Sequence, residues 1–338
     1  MTTPLPGPPD PWAPSQMPAF RGKPPYVMTE MIAAEPAHAA RLLHRLANDE
    51  AFTGLADAIR GAGDAGQPIL TTGCGTSEHA AMAIAALLTE ALDREVRSVQ
   101  ALESLARPPS ASLLIAVSHE GGTAMTNEAI SASNAAGART ALVTAGSGSP
   151  AAALARIVVT TGEQDQGWCH TIGYLSPLLV GVALARRLGG TKPDVAAIRA
   201  LLDVSSDARP AADVAAALGG LDRLLIVGSG VDAISARELA LKIAEGARLP
   251  TTAHELETVL HGHLAAANRW AGLVLIHTGS ATGPVADRAL RVLGAARSLA
   301  MGSAAIVSED VADAMPDELT PAGRIVLPHT GRVPGVAG

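Results

Sequence analysis

Three stretches of this chain carry side chains whose types and spacing fit chemistry. Glu238, Lys242 and Glu245 stand at i, i+4 and i+7, the spacing that puts side chains on one face of a helix. The neighbouring residues are Leu, Ala and Ile. A carboxylate beside an ammonium on a partly buried helix is equipped for proton transfer, and a solvated ion-pair ladder is the plainer reading of the same spacing. Gly73-Cys74-Gly75-Thr76-Ser77 places glycines and two hydroxyls where an apolar strand ends and a helix begins. Backbone amides and the helix dipole favour an anion there, while Thr76 or Ser77 used as an ordinary helix cap is the alternative. Ser118-His119-Glu120-Gly121-Gly122-Thr123 repeats the arrangement after another strand. Two such loops on neighbouring strand ends would converge on one ligand.

Other motifs are weaker. Neither loop continues into the Gly-Lys-Ser/Thr of a nucleotide-binding P-loop, and Glu78 stands where a dinucleotide fingerprint needs its third glycine. Gly228-Ser229-Gly230-Val231-Asp232-Ala233 fits the relaxed fingerprint, without an evident ribose-binding acid at the end of a following strand. No cofactor is expected. His261-Gly262-His263 lacks further ligands at a recognised metal spacing, so an acid/base role for one histidine is the expectation and no metal is expected.

The elements that must position these residues alternate between short apolar strands and alanine-rich helices. Strands are expected at 69–72, 95–99, 113–117, 139–143 and 157–160. Helices are expected from about 78 to 92, from the 118–123 loop to 136, and over 171–188. After Gly189-Gly190-Thr191-Lys192-Pro193 the pattern restarts: helices near 194–204 and 211–218, a strand at 223–227, a helix over 232–249, a strand at 272–277, a helix from Pro284, and strands near 297–300 and 304–307. Residues 250–260 read as a mostly irregular excursion. The fold class is therefore α/β, with two doubly wound parallel sheets, and ligands belong at the C-terminal strand edges. Residues 1–27, with nine prolines between positions 4 and 25, form a disordered tail, 28–190 a first domain opening with helices, and 191–338 a second.

Composition narrows the partners. Hydrophobic residues make up 48% of the 338, charged residues 17%, and the net charge is −7. The apolar share supports sizeable cores, and the acidic balance offers no basic stripe for nucleic acid. No apolar run is long enough to span a membrane, and two cysteines, Cys74 and Cys169, make no disulfide framework, so a cytoplasmic protein is expected.

Taken together, Cys74-Gly75-Thr76-Ser77, the 118–123 loop, and Glu238-Leu239-Ala240-Leu241-Lys242-Ile243-Ala244-Glu245 followed by His261-Gly262-His263-Leu264 resemble the sugar isomerase (SIS) family. The likeness is to the isomerase module of glucosamine-6-phosphate synthase and to stand-alone phosphosugar isomerases, and it covers about 28–310, including Met28-Thr29-Glu30-Met31-Ile32 and Glu35-Pro36. The resemblance implies two SIS lobes, each a five-stranded parallel sheet flanked by helices, in a homodimer with shared active sites. It implies that Thr76, Ser77, Ser118 and Thr123 bind the phosphate of a sugar and that His170 and Thr171 contact the sugar; Gly75, His119 and Glu120 complete the expected substrate-binding set, His119 adding positive charge and Glu120 either turning away from the phosphate or facing sugar hydroxyls or an ammonium. Glu245 would shuttle a proton between C1 and C2, Lys242 would assist, and His261 would act in ring opening from the neighbouring subunit. For that role a mostly apolar pocket would have to raise the Glu245 pKa toward neutrality, with Lys242 or backbone donors holding the developing oxyanion.

Departures from the family pattern qualify the activity. Glu120 stands where the family has a serine, His170 replaces a small hydroxyl residue, and the chain has no lysine after Lys242 to form the family's imine. A glutamine-hydrolysing domain has no counterpart either, so no glutaminase activity is expected. The resemblance thus implies an aldose–ketose isomerase or aminosugar-phosphate isomerase/deaminase, with a non-catalytic sugar-phosphate sensor as the alternative.

Overall fold

The computed structural model describes residues 27–189, 194–204 and 207–328. The proline-rich segment before Val27, the junction at 190–193 and the chain end after Pro328 lie outside the described residues. The chain divides into two compact units at Leu202/Asp203.

The first unit runs α1 (Val27–Leu46), α2 (Glu50–Asp64), β1 (Ile69–Thr72), α3 (Thr76–Leu92), β2 (Arg97–Ser98), α4 (Ala101–Ala106), β3 (Leu113–Val117), α5 (Ala124–Ala135), β4 (Arg139–Thr144), α6 (Pro150–Leu154), β5 (Ile157–Thr160) and α7 (Ile172–Leu188). All strands are parallel, in the order β2-β1-β3-β4-β5. Leu113 to Val117 is buried at every position, as a central parallel strand covered by helices on both faces must be. One face packs Leu42, Leu55, Ile59, Ile84, Leu88 and Val180 against the sheet, and the other packs Ile130, Leu142 and Ala151.

After α8 (Val195–Val204), within which the boundary falls, the second unit has α9 (Arg209–Ala217), β6 (Arg223–Gly228), α10 (Val231–Ala247), β7 (Thr251–Glu255), α11 (Leu256–Leu260), β8 (Ala271–His277), α12 (Pro284–Ser298), β9 (Gly302–Ser308), α13 (Glu309–Ala314) and β10 (Arg324–Leu327). Its order is β10-β9-β8-β6-β7, again all parallel. The topology repeats that of the first unit: in each, the first strand lies between the second and the third, so the chain reverses its direction of build at that point. Ligands of such sheets bind at this switch, beyond the carboxyl ends of the strands.

Two sequence readings are corrected here. Residues 250–260 are not an irregular excursion, because β7 pairs along β6 from Leu224↔Thr251 to Gly228↔Glu255 and α11 follows at once. Thr-Thr-Ala-His-Glu shows no apolar run since it forms a half-exposed edge, held by the backbone ladder. Residues 297–300 are not a strand: α12 continues through Ser298 because Ala289, Val292, Leu293 and Ala296 keep the helical spacing of its buried face. The edge strand β10 lies beyond every strand read from the sequence.

No helix among the described residues is long and apolar enough to cross a membrane.

Candidate functional site

In the first unit, β1 and β3 are hydrogen-bonded neighbours with Thr72 opposite Ala116. The loops that follow them therefore emerge side by side, and Cys74 Sγ lies 3.6 Å from Thr126 Oγ1 across them. The turn into α3 needs two glycines. A Cβ on Gly73 would stand 2.5 Å from Ser77 O, and Gly75 has φ 56°, a left-handed conformation that side chains resist. Gly75 is the N-cap of α3 and Thr123 that of α5, and neither makes a side-chain cap bond. Thr76 and Ser77 sit within the first turn of α3 instead of capping it. Ser118 is buried, Ser77 and Glu120 are half-buried, and Thr123 is exposed.

His119 departs from its expected role. Its ring is buried, and its Nε2 accepts the Asp165 amide at 2.8 Å, which requires that nitrogen to be unprotonated. Burial, followed by the nearby His170, holds its pKa down to about 3. His119 is therefore neutral at physiological pH and brings no positive charge to a phosphate. It shapes the loop, and its ring lies 5.0 Å from that of His170.

Asp165 was not singled out in the sequence, where it reads as one polar residue among Glu163, Gln164 and Gln166. Its side chain has no exposed surface. Oδ1 accepts the Gly167 amide at 2.8 Å, and Oδ2 accepts those of Thr171 at 2.6 Å and Gly173 at 3.0 Å. The available signal was Asp-Gln-Gly, the pattern of an Asx turn two residues ahead of a glycine. These bonds hold the segment bearing His170 and Thr171 at the start of α7, next to His119. Thr171 Oγ1 is buried with no hydrogen-bond partner among the described residues.

Around this loop lie two further titratable side chains. His38 Nε2 shares a 2.8 Å hydrogen bond with Ser176 Oγ, and burial lowers the His38 pKa. Glu35 is pushed up to about 7, first by burial and then by the charge of Asp165. A folded pKa above the unfolded value of about 4.5 means that the folded state holds the proton more tightly. This contribution to stability is complete below pH 4.5 and is lost as pH rises through 7. Glu35→Gln, which keeps the neutral form at every pH, is expected to stabilise the protein at pH 8 by about 1 kcal/mol, allowing for partial exposure. The gain should nearly vanish at pH 5. Urea unfolding at the two pH values measures it, and an equal gain at both would refute the assignment.

In the second unit, Lys242 Nζ lies 2.6 Å from Glu245 Oε2 and 3.5 Å from Glu238 Oε1. The three side chains are 12%, 25% and 7% exposed, so the group is not a solvated ladder. Lys242, one helical turn before Glu245 on the same face, pairs with its carboxylate. His261 ends α11 with an exposed side chain, 2.7 Å from Glu257 Oε1, while Arg288 Nε holds the other oxygen of Glu257 at 2.6 Å. No hydrogen bond or ion pair joins His261 to Glu245 among the described residues. The His263 ring stacks on His254 with centroids 3.9 Å apart.

The second unit also repeats the glycine turn. A Cβ on Gly228 would stand 2.6 Å from Asp232 O, and Gly230 has φ 59°. The residue corresponding to Ser77 is Asp232, whose buried carboxylate accepts the Thr278 amide at 2.9 Å and its hydroxyl at 2.6 Å. This carboxylate ties the start of α10 to the segment that follows β8.

Residues 65–187 match the family model of the SIS domain. The first unit carries a SIS domain. Among solved structures, the chain is similar to the C-terminal domain of glucosamine-fructose-6-phosphate aminotransferase from Francisella tularensis (TM-score 0.73, 17% identity, 91% of each chain covered). It is similar also to tagatose-6-phosphate ketose/aldose isomerase from Escherichia coli (0.73, 18%, covering 88% of this chain and 85% of that one). A third is glucosamine-6-phosphate deaminase from Thermotoga maritima (0.66, 17%, 86% and 91%). At these identities the likeness establishes the fold. No protein of curated function matches the chain in sequence.

Proposed function

We propose that this SIS protein is a phosphosugar isomerase, or an aminosugar-phosphate isomerase/deaminase, that moves a proton between C1 and C2 of an open-chain sugar. The observation that carries the reading is the Glu238–Lys242–Glu245 group, a carboxylate base held by a shared ammonium on a mostly buried helix face. Charges are seldom kept in such surroundings without a task.

The helix ends support a phosphate ligand in the first unit. The Asp165 carboxylate accepts the amides of Thr171 and Gly173 at the N-terminus of α7. The ends of α3 and α5 have N-caps, Gly75 and Thr123, that make no side-chain cap bond. They present Gly75, Thr76, Ser77, Ser118 and Thr123, and an anion is favoured there by amides and dipole together. With His119 neutral, that neutralisation falls to hydroxyls and amides, and the reading requires Glu120 to turn away from the phosphate.

In the proposed reaction the Glu245 carboxylate removes the proton α to the sugar carbonyl. The electron pair forms the C1=C2 bond of a cis-enediol or enolamine, and the carbonyl oxygen takes up a proton. Lys242, as a hydrogen-bond donor, stabilises the developing oxyanion. Glu245 then returns its proton to the former carbonyl carbon, while the oxygen on the other carbon gives up its proton to become the new carbonyl, which balances the proton taken up by the first oxygen. His261, directed at Glu257 in its own chain, serves ring opening in a second subunit, so the working form is a homodimer.

The test is thermal-shift screening with glucosamine 6-phosphate, fructose 6-phosphate and tagatose 6-phosphate, followed by proton NMR of the stabilising sugar in D2O. Stabilisation with deuterium entering at C1 or C2 is expected. Stabilisation without exchange or conversion would make the protein a sugar-phosphate sensor, and no stabilisation by any of the three would remove the proposal.

A further inference from the structure

We infer that Asp165 is a positioning residue of the proposed ligand site: its carboxylate holds the 167–173 loop, and its amide ties that loop to His119 in the 118–123 loop. The inference rests on the sugar-phosphate reading given above.

The three amides that Asp165 accepts flank the two side chains assigned to the sugar. Gly167 precedes His170, and Thr171 and Gly173 enclose the first turn of α7. The His170 ring is packed tightly there, since a Cβ on Gly173 would meet it at 3.0 Å. Thr171 contributes its amide to Asp165 while its buried hydroxyl has no partner. A buried hydroxyl left unpaired carries a free-energy cost that a ligand hydroxyl would relieve. On the other side, the Asp165 amide fixes the orientation of the His119 ring, whose backbone oxygen receives the Ala145 amide at 2.8 Å and the Thr144 hydroxyl at 3.0 Å. One side chain and its own amide thus set the sugar loop and the phosphate loop in a common register. Asp165 itself touches no ligand in this scheme; it acts through Thr171, His170 and His119.

Two variants test it. Asp165→Asn puts an NH2 group where one oxygen accepts an amide, with little change of shape. Gly167→Ala adds a methyl 3.1 Å from Asp165 Oδ1 and disturbs the clamp without altering charge, which keeps the test open should the first variant fail to fold. Dissociation constants for glucosamine 6-phosphate and tagatose 6-phosphate are measured well below each protein's melting temperature. Asp165→Asn is expected to weaken the bound probe by about tenfold or more, and Gly167→Ala by a smaller factor. Amide hydrogen exchange at Thr171 and Gly173 should quicken in both. A purely structural role would lower the melting temperature and leave the folded protein's affinity unchanged, so variants that bind as the wild type does overturn the inference alone. Wild-type protein that binds neither of these probes nor fructose 6-phosphate overturns the proposed function and this inference with it.

Discussion

Glu245→Gln is expected to lower turnover by ~10²-fold or more while leaving sugar-phosphate affinity near that of the wild type. The amide keeps the side chain's shape and its acceptor oxygen toward Lys242 but cannot take a proton from carbon. The effect should fall on kcat, since the lost interaction belongs to the transition state. Steady-state kinetics on the sugar identified by the D2O experiment measures it, and activity equal to that of the wild type would rule Glu245 out as the base. The same variant probes the role of His261. Mixed in equal amounts with an inactive His261→Ala protein, it should restore about a quarter of wild-type activity: random pairing makes half the dimers mixed, and half the sites of each mixed dimer are intact. Confirmed mixed dimers with no recovered activity would place His261 in the site of its own subunit.

The sequence made the sheet legible where strands are central and the site legible where chemistry sits on strand ends. Leu113 to Val117 and Ile157 to Thr160 appear with the bounds read from their apolar runs. Thr251 to Glu255 could not be read that way, because an edge strand is specified by its backbone ladder and carries polar side chains. The glycine turns and the Glu238, Lys242, Glu245 spacing were legible because each is local: a φ near 60° or a shared helix face depends on neighbours in sequence. What escaped was non-local. Asp165 is informative only once the fold brings it to His119, 46 positions away. The neutrality of His119 follows from that same contact and from burial. Glu35 likewise acquires its raised pKa from a core that forms around it and from Asp165.

The Lys242 ammonium is expected to matter for stability as much as for chemistry. Lys242→Met keeps the length and apolar stem of the side chain on α10, yet removes the cation that lies 2.6 Å from Glu245 and 3.5 Å from Glu238. Glu238 is 7% exposed, so its charge is poorly solvated. Breaking a buried pair by removing one partner costs about 3 kcal/mol, much more than deletion of a surface bridge, which costs at most about 1 kcal/mol. Urea unfolding at pH 7 should therefore show Lys242→Met destabilised by about 3 kcal/mol. If the cost comes from charge and not from packing, the double variant Lys242→Met with Glu238→Gln should recover about half of it, a coupling that additive effects would not produce. A loss below about 1 kcal/mol in the single variant would mean that solvent reaches the group freely. The ammonium would then be poorly suited to stabilising an oxyanion, because that stabilisation depends on the same exclusion of water that makes the buried pair costly to break.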